Sequence, residues 1–494
     1  MTESKHIGEG TIHLLVSEFI FLIAGYIIYI GLSRMITPQE FGIYGVIVTL
    51  ATIITMIFNA SIIQSVSKFI SERSEDAESI TSTIFRGQLV LSIIVTALYF
   101  LLSPYIAMLF NDPSLTPYIR LSSLLILVNP SLYTLIGYFN GLKKFKLQAI
   151  AQNVNVISKV IFIFLFVYIG WAVTGAVLGF IVAGFIAFFV SYFVSKIGLK
   201  KLIFSRKRVI NFKKVLSFAI PLIFLSIVIN LLRSIDLLFL KALTNPIGLA
   251  NTYAGYYTAA LSISKIPFIV ILALSFVLFP IISEVTFKKD ILKTKMYINK
   301  AMRYSLLITV TICFFLSSTA KQLMPFIYPE SYVAGSSALI ILVIGFGFYA
   351  LYTMLSTVIS GSGRPKVSLL ITTIMLFINM ALNILLIPKY NMQGAAFATS
   401  FSMFFGFIVA GMYVYGDYKA LLKWKSSIKI VLVGILIYIA SLVYPVREWW
   451  LLLKYPILAL LMLALLIMFK ELTKKDLVFF KNSIFSLLSR KAKE

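Results

Sequence analysis

Apolar runs of about 18 or more residues recur along this chain from one end to the other. Wound as an α-helix at 1.5 Å per residue, each run covers the roughly 30 Å of hydrocarbon in a bilayer. A soluble domain has no interior able to hide so many of them, and only 13% of the residues are charged. The runs are continuous rather than alternating polar with apolar, which excludes a transmembrane β-barrel. The predicted fold class is therefore an all-α polytopic membrane protein. About fourteen transmembrane helices are expected, near 12–33, 41–63, 84–103, 118–139, 149–169, 172–195, 215–243, 254–281, 303–319, 335–359, 367–387, 394–415, 428–444 and 451–469. The stretch 149–195 is too long for one crossing and is divided at Gly170-Trp171.

The net charge of +26 raises the question of nucleic acid, but the cations sit in short loops between the spans. With the N-terminus placed in the cytoplasm, 34 of the 44 Lys and Arg fall on inner segments and their flanks and 7 on outer ones. That bias orients the chain with both termini cytoplasmic, as a multi-pass protein of the cell membrane with no nucleic-acid partner. Cys313 is the one cysteine and there are two histidines, so neither an intrachain disulfide nor a metal site is expected, and no cofactor. No cleaved signal peptide is recognisable at the N-terminus, and the first span is expected to serve as the insertion signal. Lys470 to Glu494 mixes large apolar residues with lysines and reads as a basic amphipathic helix on the inner leaflet.

Two pairs of stretches echo each other. Gly42-Ile-Tyr44, an apolar span and Phe69-Ile-Ser-Glu72 are matched by Gly255-Tyr-Tyr257, a span and Ile281-Ile-Ser-Glu284, with Tyr-to-Glu distances of 28 and 27. Gly141-Leu-Lys-Lys-Phe-Lys146 followed by Gly175-Ala176 is matched by Gly363-Arg-Pro-Lys366 followed by Gly394-Ala395-Ala396. The leading glycines are offset by 213 and 222 residues. An even number of spans separates the copies, so the repeat is parallel. Two six-helix lobes, 1–200 and 201–415, are expected, followed by 416–494 with two further helices and the basic tail.

Charges inside spans are costly, about 2.5–3.5 kcal/mol each on insertion scales, and mark candidate functional positions. Arg233 and Asp236 lie three apart in the span 215–243, where they share a helix face. They form either a pair sealing a helix contact or a pair facing a cavity. Lys159 and Lys265 lie about ten residues into their spans without a nearby carboxylate and are expected to face an aqueous interior. A cationic cavity suits an anionic cargo. Glu18 relays a proton or pairs with one of these cations. Arg34, at the end of the first span, is an interfacial anchor or a cargo contact. Asn59, Asn155, Asn230, Asn379 and Asn383 are expected mostly to form interhelical hydrogen bonds. Pro221, Pro267 and Pro280 are candidate kinks for gating. Gly361-Ser-Gly-Arg-Pro-Lys366 lacks P-loop spacing, and no Ser/His/Asp or Cys/His set is present, so no catalytic residues are expected.

An ordered set of stretches runs from Leu32-Ser-Arg-Met-Ile-Thr-Pro-Gln-Glu-Phe-Gly-Ile-Tyr44 through Asn140-Gly-Leu-Lys-Lys-Phe-Lys146 and Ala254-Gly-Tyr-Tyr-Thr-Ala-Ala260. It continues with Phe279-Pro-Ile-Ile-Ser-Glu284 and Ile387-Pro-Lys-Tyr-Asn-Met-Gln-Gly-Ala-Ala396. Together these resemble polysaccharide flippases of the multidrug/oligosaccharidyl-lipid/polysaccharide exporter superfamily. The resemblance implies two parallel six-helix lobes working by alternating access. It implies as partner a lipid-linked oligosaccharide, sugars on a polyprenyl (di)phosphate moved from the inner to the outer leaflet, among membrane lipids and polysaccharide-assembly proteins. It also implies cavity cations that meet the (di)phosphate; Lys159, Arg233 and Lys265 are assigned by burial. The last two helices resemble those that help hold the lipid tail in the lipid II flippase branch. Membrane potential is one driving force, gaining about 2.3 kcal/mol per negative charge moved outward across 100 mV. Proton or sodium coupling through Glu18 or Asp236 is the other. Alternatives are a cation-coupled multidrug exporter of the same superfamily, a membrane-embedded glycosyl transferase or ligase, and a non-transporting scaffold.

Overall fold

The computed structural model describes residues 2–204, 209–421, 424–446 and 449–472. The side chains at 2–9, 11, 57, 59, 60, 199, 200, 204 and 277 lie outside that description, and so does the tail 473–494 expected to be amphipathic. Every regular element among the described residues is helical. The first six helices are α1 (Thr2–Met35), α2 (Pro38–Glu72), α3 (Ala77–Leu109), α4 (Thr116–Gly141), α5 (Phe145–Phe166) and α6 (Ala172–Ser195). Next come α7 (Leu199–Phe204), α8 (Phe212–Leu232), α9 (Ile235–Leu243), α10 (Ile247–Ser264) and α11 (Ile266–Phe287). The remainder are α12 (Ile291–Ser318), α13 (Ala320–Ile327), α14 (Ser336–Gly361), α15 (Pro365–Tyr418), α16 (Trp424–Val443) and α17 (Trp450–Met468). By mutual contact the chain divides into two units, 1–262 with 376–398, and 263–375 with 399–494.

Among the described residues, twelve helical segments are long and apolar enough to cross a membrane, against about fourteen expected spans. Two of the twelve are double length, 51 residues at Phe145–Ser195 and 54 at Pro365–Tyr418. A straight helix of that size would be roughly 75–80 Å long, over twice the hydrocarbon thickness. Both reverse midway. The first turns at Gly170 (φ 98°) and Ala172 (φ 40°), where the sequence divides it; the second turns at Asn391 (φ 48°). Glycines let the arms of each hairpin touch. A Cβ on Gly175 would lie 2.8 Å from the Phe166 carbonyl, and one on Gly394 would lie 2.5 Å from the Leu386 oxygen. Gly175 and Gly394 are the residues matched in the internal repeat, so the repeat preserves a packing device.

The other repeated turn preserves its backbone hydrogen bonds and corrects its register. After α4, Lys143 N–H donates to Asn140 O and Lys144 N–H to Phe139 O. After α14, Gly363 N–H donates to Ser360 O and Arg364 N–H to Ile359 O. The left-handed residue is Lys143 (φ 57°) in one copy and Gly363 (φ 83°) in the other. Gly363 therefore matches Lys143 rather than Gly141, and Gly141 matches Gly361. The segments holding α4 and α14 are the most buried spans, 72% each, and the repeat pairs them. α4 packs on α2, α3 and α6 in the first unit; α14 packs on α11 and α12 in the second. Core position follows repeat position.

Several predicted spans differ in detail. The run 215–243 is two helices, α8 and α9, interrupted at Arg233-Ser234. The run 254–281 is interrupted at Lys265, which starts α11, with Pro267 in its first turn. A proline there meets no clash and introduces no kink. Pro221 and Pro280 do lie inside α8 and α11.

Candidate functional site

The first unit carries a dense cluster where the repeated Gly-x-Tyr motifs meet. Thr37 caps α2 in a reciprocal capping box with Glu40, and Pro38 takes the first helical position. This sets the start of α2 firmly, and Gly42 and Gly45 follow within two turns. A Cβ on Gly42 would lie 2.0 Å from Asn251 O and 2.7 Å from Gly255 N; one on Gly255 would lie 2.0 Å from Pro38 O. α2 and α10 thus cross backbone against backbone, which any larger side chain would prevent. A turn later Gly45 makes room for the Thr258 side chain, whose Oγ1 would lie 2.4 Å from a Cβ there. Tyr44 is buried against Phe41 and Tyr29, and Tyr26 of α1 donates to Ser262 O on α10.

Beside this crossing lies a buried ion pair. Lys241 Nζ of α9 is 2.7 Å from Asp112 Oδ2, with side chains 0% and 3% exposed. Asp112 also accepts from Asn251 Nδ2 of α10 (3.4 Å), Ser114 N (3.2 Å) and Ser114 Oγ (2.5 Å). Burial pushes the Asp112 carboxyl up, but hydrogen bonds from Lys241 and Ser114 and the Lys241 charge outweigh it and hold the group below the usual carboxylate range. Asn111 Nδ2 donates to Ala242 O. The turn between α3 and α4 is thereby tied to α9 and α10. Neither Asp112 nor Lys241 is among the candidate residues read from the sequence. The available signals were a lysine inside Leu237-Leu-Phe-Leu-Lys-Ala-Leu243 and an aspartate in Asn111-Asp-Pro113.

The predicted site residues are distributed as follows. Arg233 does not lie mid-helix: it ends α8, its Nε donating to Ile229 O and its Nη2 to Asn230 Oδ1. A cation there meets the negative end of the helix dipole. Asp236 lies in the first turn of the separate helix α9, fully buried, and accepts from Tyr257 Oη at 2.5 Å and from Leu237 N. The helix break places Arg233 and Asp236 on either side of a turn rather than on one continuous helix. Lys159 is half-buried on α5 with its ammonium 4.1 Å from the centre of the Phe180 ring on α6. No carboxylate among the described residues pairs with it. Glu18 and Arg34 are exposed on α1, Arg34 in its last turn. Lys265, half-buried, belongs to the second unit; the other five belong to the first.

The amides divide differently from expectation. Asn230 and Asn383 bond within their own helices, Asn383 Nδ2 reaching Asn379 O and Oδ1. An amide network that the sequence did not single out does join helices: Ser67 donates to Asn140 Oδ1, and Asn140 Nδ2 to Gln148 Oε1, linking α2, α4 and α5. Asn155 Oδ1, one turn before Lys159, is buried with no partner among the described residues. The side chain of Asn59 lies outside them. Arg364, in the turn without P-loop spacing, reaches Tyr413 and Asp417 in the second unit. No group of three or more His, Cys, Asp or Glu able to hold a metal occurs among the described residues.

The chain matches the model of a family described as polysaccharide biosynthesis protein over residues 7–286. It is 26% identical to an uncharacterized membrane protein of Methanocaldococcus jannaschii over 461 residues, 88% of this chain and 89% of the relative. A second uncharacterized membrane protein of that organism is 24% identical over 408 residues, 79% of this chain and 94% of the relative. Among solved structures, the lipid II flippase MurJ in an inward closed conformation superposes with a TM-score of 0.75 at 18% identity, covering 94% of this chain and 99% of MurJ. An inward-facing multidrug resistance MATE family transporter of the MOP superfamily gives 0.67 at 15% identity, covering 83% and 98%. At these identities the likeness is one of fold.

Proposed function

This chain belongs to the polysaccharide biosynthesis protein family, and from that premise we propose that it is a flippase for lipid-linked oligosaccharide. The cargo is a polyprenyl (di)phosphate bearing sugars, carried from the inner to the outer leaflet by alternating access. The observation that carries the reading is Lys159: a cation within a span, seated on an aromatic face, with no carboxylate partner among the described residues. Such a group is costly unless its charge is used, and an anionic phosphate is the complementary use. Arg233, Lys265 and Arg34 are the further cationic candidates, and Glu18 and Asp236 the acidic ones for ion coupling. Both termini lie in the cytoplasm in this reading, with the lobes 1–200 and 201–415 alternating about a central cavity. Residues 416–494 add the helices that accompany the lipid tail.

The deciding experiment is flipping of a labelled lipid-linked oligosaccharide in proteoliposomes under an imposed potential. Loss of flipping in the triple variant Lys159→Ala, Arg233→Ala, Lys265→Ala is the expected result. Unchanged flipping in that variant sinks the cationic-cavity reading. Drug resistance conferred in cells without any lipid flipping would assign the chain to multidrug export instead.

A further inference from the structure

A second cation stands apart from all of this, on the outward flank of α3 and α4. Arg120 lies in the second turn of α4. Its Nε donates to Ser103 Oγ of α3 at 3.1 Å, and its guanidinium lies over the Phe100 ring, 5.2 Å from the centroid. Ser103 is fully buried, so it is a fixed post that holds one edge of the fork. Arg120 lines an open cavity of about 460 Å³ together with Phe100, Thr116, Leu121, Ser123 and Leu124. No carboxylate lines it. The surrounding flank is strongly apolar: Leu101 and Tyr105 are each 67% exposed, and Leu98 and Leu124 are exposed as well. In a chain that crosses the bilayer, such a flank faces lipid.

We propose that this groove is a seat for the anionic headgroup of a membrane phospholipid, with Arg120 on the phosphodiester and the upper part of one acyl chain lying over Phe100, Leu121 and Leu124. The charge argument selects the ligand. A guanidinium at the edge of hydrocarbon needs an anion or water, and its planar fork fits phosphate oxygens. Ser103 and the Phe100 ring position the fork, leaving its terminal nitrogens to the groove. The lining offers no acid to receive a choline or ethanolamine ammonium, so a net anionic headgroup is favoured over a zwitterionic one. Arg120 lies about 6 Å along the helix from the first residue of α4, near one end of an apolar span rather than at its middle. The seat is independent of the cargo.

The test uses the full-length protein in detergent with phosphatidylglycerol carrying a diazirine in one acyl chain, and mass-spectrometric mapping of the adducts. Adducts on 98–124 are expected, falling about tenfold in Arg120→Gln, as loss of a charge-assisted hydrogen bond implies. Arg120→Lys keeps the charge but loses the Ser103 contact and the flat stacking on Phe100, and is expected to fall severalfold at an unchanged unfolding temperature. That variant keeps the test decisive if Arg120→Gln folds poorly. Phosphatidylcholine with the same chains is expected to label weakly, and soluble glycerol phosphate not to compete. Equal labelling of wild type and Arg120→Gln overturns the proposal. So does equal labelling by the two lipids, or competition by glycerol phosphate, which would make the site one for free phosphate. Stronger labelling by a polyprenyl phosphate than by phosphatidylglycerol overturns it too, since the groove would then belong to the cargo's path.

Discussion

Replacing Lys241 by methionine removes the ammonium from a buried pair while keeping most of the unbranched apolar stem. Asp112 is then left as a carboxylate with 3% side-chain exposure and no counter-ion. Breaking a buried pair from one side costs about 3–5 kcal/mol, because the remaining charge keeps its desolvation penalty. Asn251 and Ser114 still donate to Asp112, so the lower end, about 3 kcal/mol, is expected. The double variant Lys241→Met, Asp112→Asn has no buried charge. Its carboxamide oxygen still accepts from Ser114, and the expected loss is about half that of the single variant or less. Unfolding free energies of the four proteins in mixed SDS micelles provide the cycle. A Lys241→Met variant within about 1 kcal/mol of wild type would refute the reasoning, and so would single-variant losses that simply add.

Four further outcomes are expected. The Asp112 carboxyl is held below its usual range in the folded protein, so the pair stabilises fully above the unfolded value near pH 4 and the contribution disappears as pH falls through the lower folded value; acid titration of stability should show this loss in wild type and not in Asp112→Asn. Gly42→Val places a side chain 2.0 Å from the Asn251 carbonyl, and is expected to cost at least about 1–3 kcal/mol in unfolding assays by forcing α2 and α10 apart, whereas Gly25→Ala, with open space around it, should stay within about 0.5 kcal/mol. Lys159→Arg retains the charge above Phe180 and should preserve most flipping, where Lys159→Met should lower it about tenfold or more, measured as initial rates in proteoliposomes. Cys313 is buried with its Sγ toward Val343 O, so maleimide should label it only after unfolding; rapid labelling of the folded protein would contradict this packing.

The apolar periodicity of this chain determined its class, and for a plain physical reason. A span must satisfy its own backbone hydrogen bonds in hydrocarbon, so a long apolar run has one available structure. The reversal at Gly170-Trp171 was legible because length alone forbids a single crossing. The repeat was legible because both copies solve the same packing problem with glycine at the same places. The three-dimensional structure decided what length and composition leave undetermined. The run 215–243 is apolar throughout apart from its few charges, yet it breaks at Arg233-Ser234, since hydropathy does not register where a backbone turns. That break places Arg233 at a helix end and Asp236 in the first turn of the next helix, where it accepts from Tyr257. The Asp112–Lys241 pair joins residues 129 apart, and no local pattern encodes a partner at that distance. Gly42 and Gly255 were visible as an echo; that the two copies touch each other, backbone to backbone, is a property of tertiary packing, where the absence of a Cβ has its effect only against the helix that arrives there.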